Sequence, residues 1–181
     1  MSTGLWQWLQ GIGLERFEFT QDGDLWILRG TVLTLPNTPA EARYEIVCDG
    51  QFFTRSAYIA LRDARGERAV KVVRENGHWH QNGAEVEGLD NAIDIDLGWS
   101  PSTNTLPIRR LALRVGASSG ELTAAWVRFP DLILEPLRQE YHRLEERVYQ
   151  YSSRSGAFQA KLLVDEHGIV EDYEGFWKRL R

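Results

Sequence analysis

Two carboxylates, Asp94 and Asp96, open the segment DIDLGWSPSTNTLPIRRL, and two arginines, Arg109 and Arg110, close it. Paired carboxylates carry out glycoside hydrolysis, but there they flank the sugar from opposite sides. On an extended strand, alternate residues share a face. Asp94 and Asp96 would then project together, with Ile93, Ile95 and Leu97 on the other face. Like charges held that close need a cation nearby. If Ile108 to Val115 is a strand, Arg109 joins Leu111, Leu113 and Val115 on its apolar face, where an unpaired guanidinium costs several kcal/mol. The spacing therefore predicts a structural polar network of Asp94, Asp96 and Arg109, with Arg110 in phase with Arg114 on the opposite side.

Other reactive groups are sparse. His78 and His80 form an HxH pair that would share one face of a strand, with Trp79 on the other. Together with Asp94 and Asp96 they make a conceivable metal site, but a single HxH without further His or Cys ligands is too little, and no metal is expected. Ser100 lacks the G-x-S-x-G context of a nucleophile elbow. There is no glycine-rich phosphate loop, and no cofactor is expected. Ser100, Thr103, Asn104 and Thr105 lie between Pro101 and Pro107. Such a rigid loop either spends its side chains on its own backbone or offers them to a hydroxyl-rich ligand. The lone cysteine, Cys48, rules out an internal disulfide. It alternates in phase with Tyr44 and Ile46 and reads as a core thiol.

Charge narrows the partners. The net charge is −5 with no run of Lys or Arg, which argues against nucleic-acid binding. The start, MSTGLWQWLQGIGLERF, has no basic leader followed by an apolar core, and no stretch approaches ~18 consecutive apolar residues. The expected location is the cytoplasm, and no transmembrane segment is expected. Seven tryptophans contribute to an aromatic content of 11%. Such residues serve both as strand formers and as walls of amphipathic cavities.

The elements that must position these groups are strands. Candidates run from Leu14 to Phe19, Asp24 to Thr34, Ala42 to Asp49, Phe52 to Leu61, Arg68 to Glu75, His78 to Gln81 and Ala84 to Glu87. Asn76-Gly77 and Asn82-Gly83 suit two-residue hairpin turns, and Pro36 to Pro39 reads as a loop. Further strands are expected from Ile108 to Val115, Glu121 to Phe129, Phe158 to Val164 and Ile169 to Tyr173, and a short C-terminal helix from Gly175 to Leu180. Between Leu137 and Ser152, helical spacing of Leu137, Tyr141, Leu144, Val148 and Tyr151 competes with strand phase of Tyr141, Tyr149 and Tyr151. Short Gly, Asn and Asp turns without βαβ spacing mean an antiparallel sheet. At 181 residues it forms a single domain over 1–181, and about ten strands of this kind curl into a barrel or half-barrel.

The runs DIDLGWSPSTNTLPIRRL, ARYEIVCDGQFFTRSAYI and YQYSSRSGAFQAKLLVDEHGIVEDYEGFW resemble the bacterial glycolipid-binding family over nearly the whole chain. The resemblance implies a mainly β fold: a single antiparallel, curved sheet forming an incompletely closed barrel, similar to the half-barrels of lipoprotein and lipid carriers. It also favours the strand reading of Leu137 to Ser152. Ligand identity within that family rests on analogy of fold, and no catalytic residues carry over.

The leading expectation is a non-enzymatic binding protein for an amphipathic small molecule such as a glycolipid. Trp99, Ser100, Thr103, Asn104 and Arg110 would meet the polar head, and Tyr44, Trp126, Tyr149 and Phe158, with Trp26, the apolar part. Two alternatives stand: an enzyme acting on a sugar- or lipid-like substrate through Asp94 and Asp96 with His78 or His80, and an interaction module using a sheet edge. The sequence leaves the oligomeric state open.

Overall fold

The computed structural model describes residues 1–35 and 38–180. Fifteen strands form one sheet: β1 (Ser2–Trp8), β2 (Leu14–Asp22), β3 (Leu25–Leu35), β4 (Thr38–Cys48), β5 (Thr54–Asp63), β6 (Gly66–Glu75), β7 (His78–Gln81), β8 (Ala84–Glu85), β9 (Ile95–Leu97), β10 (Leu122–Arg128), β11 (Ile133–Glu145), β12 (Val148–Ser153), β13 (Phe158–Val164), β14 (Val170–Tyr173) and β15 (Trp177–Leu180). A 3-10 turn at Ser102–Asn104 and one helix, α1 (Thr105–Leu111), lie between β9 and β10. Across the sheet the order is β8-β7-β6-β5-β4-β3-β2-β1-β15-β14-β13-β12-β11-β10-β9. Neighbours run antiparallel except β9 and β10, which are parallel. This is the single curved, unclosed sheet that the sequence predicts. The loop expected at Pro36 to Pro39 falls partly outside the described residues, and from Thr38 the chain is already strand.

Local chemistry explains the meander. Asn76 and Gly77 adopt φ of 53° and 90°, and Asn82 and Gly83 adopt 52° and 87°. Positive φ at both positions is what a type I′ turn requires. A bulge between Val47 and Cys48 sets Thr54 rather than Arg55 opposite Cys48. Arg55 therefore leaves the apolar face suggested by its phase and pairs with Asp49 in solvent at 3.2 Å.

The N-terminus adds an element: Ser2–Trp8 is a strand at the middle of the sheet, between β2 and β15. Its partner overturns an expectation. Gly175 to Leu180 does not form a helix, because Trp177 to Leu180 supplies the ladder that β1 would otherwise lack. Trp177 faces inward and meets Trp8 edge-on at 5.0 Å. A further expectation that changes concerns Leu137 to Ser152, which is a hairpin of β11 and β12 rather than one long strand. Inward-facing Tyr141, Tyr149 and Tyr151 override the helical spacing, since each buries a large ring.

The end strands β8 and β9 do not pair with each other, yet the two sides of the opening are tied by side chains. Gln81 donates from Nε2 to Leu132 O at 2.7 Å and accepts from Leu134 N at 3.0 Å. One amide side chain thus copies the backbone bonding of a neighbouring strand. Arg68 adds a bond from Nη2 to Pro130 O at 2.8 Å. Trp79 Nε1 and Arg74 Nε both donate to Ala92 O. The interior is packed: Trp6 stacks on Phe17 at 3.8 Å, and Trp6, Trp79, Ile46, Ile59 and Leu106 are fully buried.

Candidate functional site

Residues 99–108 are buried throughout and fill the inside of the curved sheet. Ile108 to Val115 is not a strand: its first residues complete a helix that begins inside this buried run, and the rest is irregular. A segment enclosed on every side has no two-face alternation to preserve, so backbone groups are satisfied locally in the 3-10 turn and α1. Pro107 lies in the first turn of α1, where a missing N–H costs nothing. Ala112, at φ 43°, ends the helix in a left-handed cap.

On a helix, Arg109 and Arg110 no longer point to opposite faces, and their partners differ from those the strand phase predicts. Arg110 holds Asp94 through Nε to Oδ1 at 3.0 Å and Nη2 to Oδ2 at 2.6 Å. Among the described residues Arg109 bonds only to the carbonyl of His167 at 3.3 Å, and it lies over the rings of Phe52 at 5.0 Å and Trp26 at 5.6 Å. The expected network of Asp94, Asp96 and Arg109 is therefore an Asp94–Arg110 pair. Asp96, half-buried on β9 opposite Trp126, has no hydrogen-bond or ion-pair partner among the described residues. Burial, with the charge of Asp94 adding, pushes its carboxyl up to about 7.

Asp96 opens into a cavity of about 270 Å³ at the junction of β9, β10 and the β12–β13 hairpin. Aromatic rings of Trp126, Tyr151, Phe158 and Tyr173 line it. Polar groups of Asp96, Ser100, Asn104, Ser153 and Arg154 share the lining. A Cβ on Gly98 would lie 2.4 Å from Trp126 Nε1, so only glycine lets the indole close against this wall. Arg154 places its guanidinium over Trp126 at 5.5 Å.

Residues 3–179 match the model of the family described as "Putative glycolipid-binding". The chain belongs to that family. A crystal structure of a DUF1089 family protein from Pseudomonas aeruginosa is 32% identical, with a TM-score of 0.79 and 92% of each chain covered. No curated protein matches the sequence. For this glycolipid-binding family member, among the described residues, no helix is long and apolar enough to cross a membrane.

The expected ligand contacts separate on this geometry. Ser100, Asn104, Trp126 and Phe158 meet at the cavity. Trp99 and Tyr44 are buried against each other at 6.0 Å in the core. Thr103 accepts the Leu97 N–H at 3.2 Å, and Arg110 is committed to Asp94. Tyr149 lines a different cavity of about 360 Å³, with Arg109, Arg143 and Arg147. Tyr151, Tyr173, Ser153 and Arg154 also line the Asp96 cavity and lie outside the sequence-based candidates. Strand phase offered a partial signal, because Tyr151 and Ser153 alternate on one face of β12. His78 turns outward to Glu85 at 2.9 Å, while His80 is half-buried.

Behind Ser100 lies a buried carboxyl that the sequence reading passed over. Glu15 on β2 is fully enclosed. It accepts from Tyr44 Oη at 2.5 Å and from Ser100 Oγ at 2.7 Å, and its second oxygen has no partner among the described residues. Desolvation pushes its carboxyl up to about 8 despite these two bonds, so it is protonated at neutral pH. Its phase with Phe17 and Phe19 on an apolar strand face was the available clue. Cys48 is buried, and burial pushes its thiol up to about 12, far from nucleophilic use.

Proposed function

We propose that this protein binds the headgroup of an amphipathic glycolipid in the Asp96–Trp126 cavity, without catalysis, in the cytoplasm. The observation that carries the reading is the composition of that one wall. Aromatic rings supply apolar faces, and Asp96, Asn104 and Ser153 supply donors and acceptors at the same cavity, whose wall Ser100 completes with its hydroxyl bonded to Glu15. A few placed polar groups in an aromatic surround is how small-molecule sites combine affinity with orientation. Stacking of a C–H-rich sugar face on such rings belongs to the same chemistry as aromatic packing.

Volume limits what enters. At about 270 Å³ the cavity is just under the ~300 Å³ at which ligand pockets begin. It suits one sugar ring, not a whole lipid. The filled interior leaves acyl chains outside, and Tyr44, expected among the apolar contacts, packs in the core against Trp99. An acid/base enzyme is the weaker reading: of the groups expected to act with Asp96, Asp94 is bonded to Arg110 and His78 to Glu85.

Native mass spectrometry of protein purified from a bacterial host without delipidation tests the proposal. A retained glycolipid mass supports it. A bare polypeptide mass after exposure to host lipid extract contradicts it.

A further inference from the structure

We propose that Asp96 is the anchoring residue of this cavity, accepting hydroxyl donors of a neutral sugar, and that binding is consequently stronger at alkaline than at acidic pH. This rests on the glycolipid reading and adds to it the ligand's charge class, its anchor and its pH dependence.

Geometry comes first. Buried or half-buried carboxylates normally have partners, because an unpaired one forfeits solvation. Asp94 follows that rule through Arg110; Asp96 has no partner among the described residues, yet it faces an open cavity. A ligand that donates hydrogen bonds would complete it. Charge-assisted bonds of this kind are about twice as strong as neutral ones.

The surrounding charges select a neutral ligand. Arg154 lines the same cavity and rests over Trp126, so a cationic headgroup would meet a like charge. An anionic one would meet Asp96. Asn104 and Ser153 can each donate and accept, which matches a polyol better than either ion.

The groups facing Asp96 are Asp94 on the same segment, Arg110 of α1 through Asp94, Tyr141 of β11, Tyr151 of β12, Tyr173 of β14 and Arg154 of the β12–β13 turn. The three tyrosines are held above their ordinary range by burial and by Asp96, so they stay neutral between pH 5 and 9. Asp96 is then the titrating member, with its carboxyl near pH 7. Hydroxyl donors bind its charged form. For a group at about 7, the charged fraction falls roughly 30-fold between pH 8 and pH 5.5, and affinity follows it.

The experiment is an NMR titration of the whole chain with n-octyl β-D-glucopyranoside, n-octyl β-D-galactopyranoside and n-octyl α-D-mannopyranoside below their micelle concentrations, at pH 8 and pH 5.5. Wild type should shift the Trp126 indole signal and bind at least tenfold more weakly at pH 5.5. Asp96→Asn removes an uncompensated charge and folds at least as well at pH 8; it should bind weakly and equally at both pH values. Binding by wild type that is pH-independent, or unchanged in Asp96→Asn, overturns the role of Asp96 and leaves the glycolipid reading standing. Absence of binding by all three glycosides at both pH values overturns both.

Discussion

Tyr44 reaches Glu15 because Gly30 gives it room. The three residues come from adjacent strands, and the tyrosine ring lies across the glycine, its Oη 2.5 Å from Glu15 Oε1. A Cβ on Gly30 would sit 2.3 Å from that ring. A glycine in a central strand, weak on propensity, is here the condition for a buried hydrogen bond.

Gly30→Ala therefore forces Tyr44 aside. Overpacking of this kind costs about 1–3 kcal/mol, and the displaced hydroxyl leaves Glu15 with one bond fewer. Urea denaturation should show a loss at the upper end of that range. An unchanged midpoint would mean that the ring does not need the space.

Glu15 sets a pH dependence. Its folded carboxyl sits at about 8 against an ordinary value of 4.5. The folded state thus holds a proton that the unfolded state has released between those values. Stability from this group is intact below about pH 4.5 and is lost as pH rises through 8, on the order of 1 kcal/mol per pH unit. Glu15→Gln should flatten the decline. Denaturant midpoints measured from pH 5 to pH 9 check this, and parallel curves for both proteins would contradict it.

The two neighbouring arginines should behave differently. Arg110→Met strands the buried carboxylate of Asp94 and should cost about 3–5 kcal/mol. Arg109→Met removes one carbonyl bond and cation–π contacts to Phe52 and Trp26, and should cost about 1 kcal/mol. Thermal denaturation of both variants at pH 7 gives the comparison; equal losses would count against the assignment of partners.

That assignment is where sequence reading and structure part. Hairpins such as Asn76-Gly77 are legible because turn type depends on two residues and their φ angles. The curved antiparallel sheet follows from many such local signals. The partner of Asp94 is not legible, because phase arguments presuppose the element. Residues 99–108 are wholly enclosed, and enclosure removes the alternation by which a strand or helix is recognised. β15 is missed for a different reason: four residues carry too little pattern, and its pairing partner is at the far end of the chain. Of the cavity, Ser100, Asn104, Trp126 and Phe158 are on strand or loop positions that composition flags, whereas Tyr173 and Arg154 enter only through tertiary packing.

Gln81 should matter more than an ordinary surface amide. Its side chain bonds to both Leu132 O and Leu134 N across the unpaired opening of the sheet. Gln81→Ala should cost about 1–2 kcal/mol and leave the 134 amide unpartnered. Hydrogen exchange is the direct reading: faster exchange at Leu134 with β2–β4 unchanged is the expected result, and uniform exchange across the sheet would show that the seam does not open locally.

The central claim is that a sugar headgroup occupies the cavity walled by Trp126. Native mass spectra of host-purified wild type, Trp126→Ala and Tyr149→Ala, recorded side by side, test it most directly, because Tyr149 lines the other cavity. A glycolipid mass retained by wild type and Tyr149→Ala but lost from Trp126→Ala is the predicted result. Equal retention by all three, or loss only from Tyr149→Ala, would contradict it.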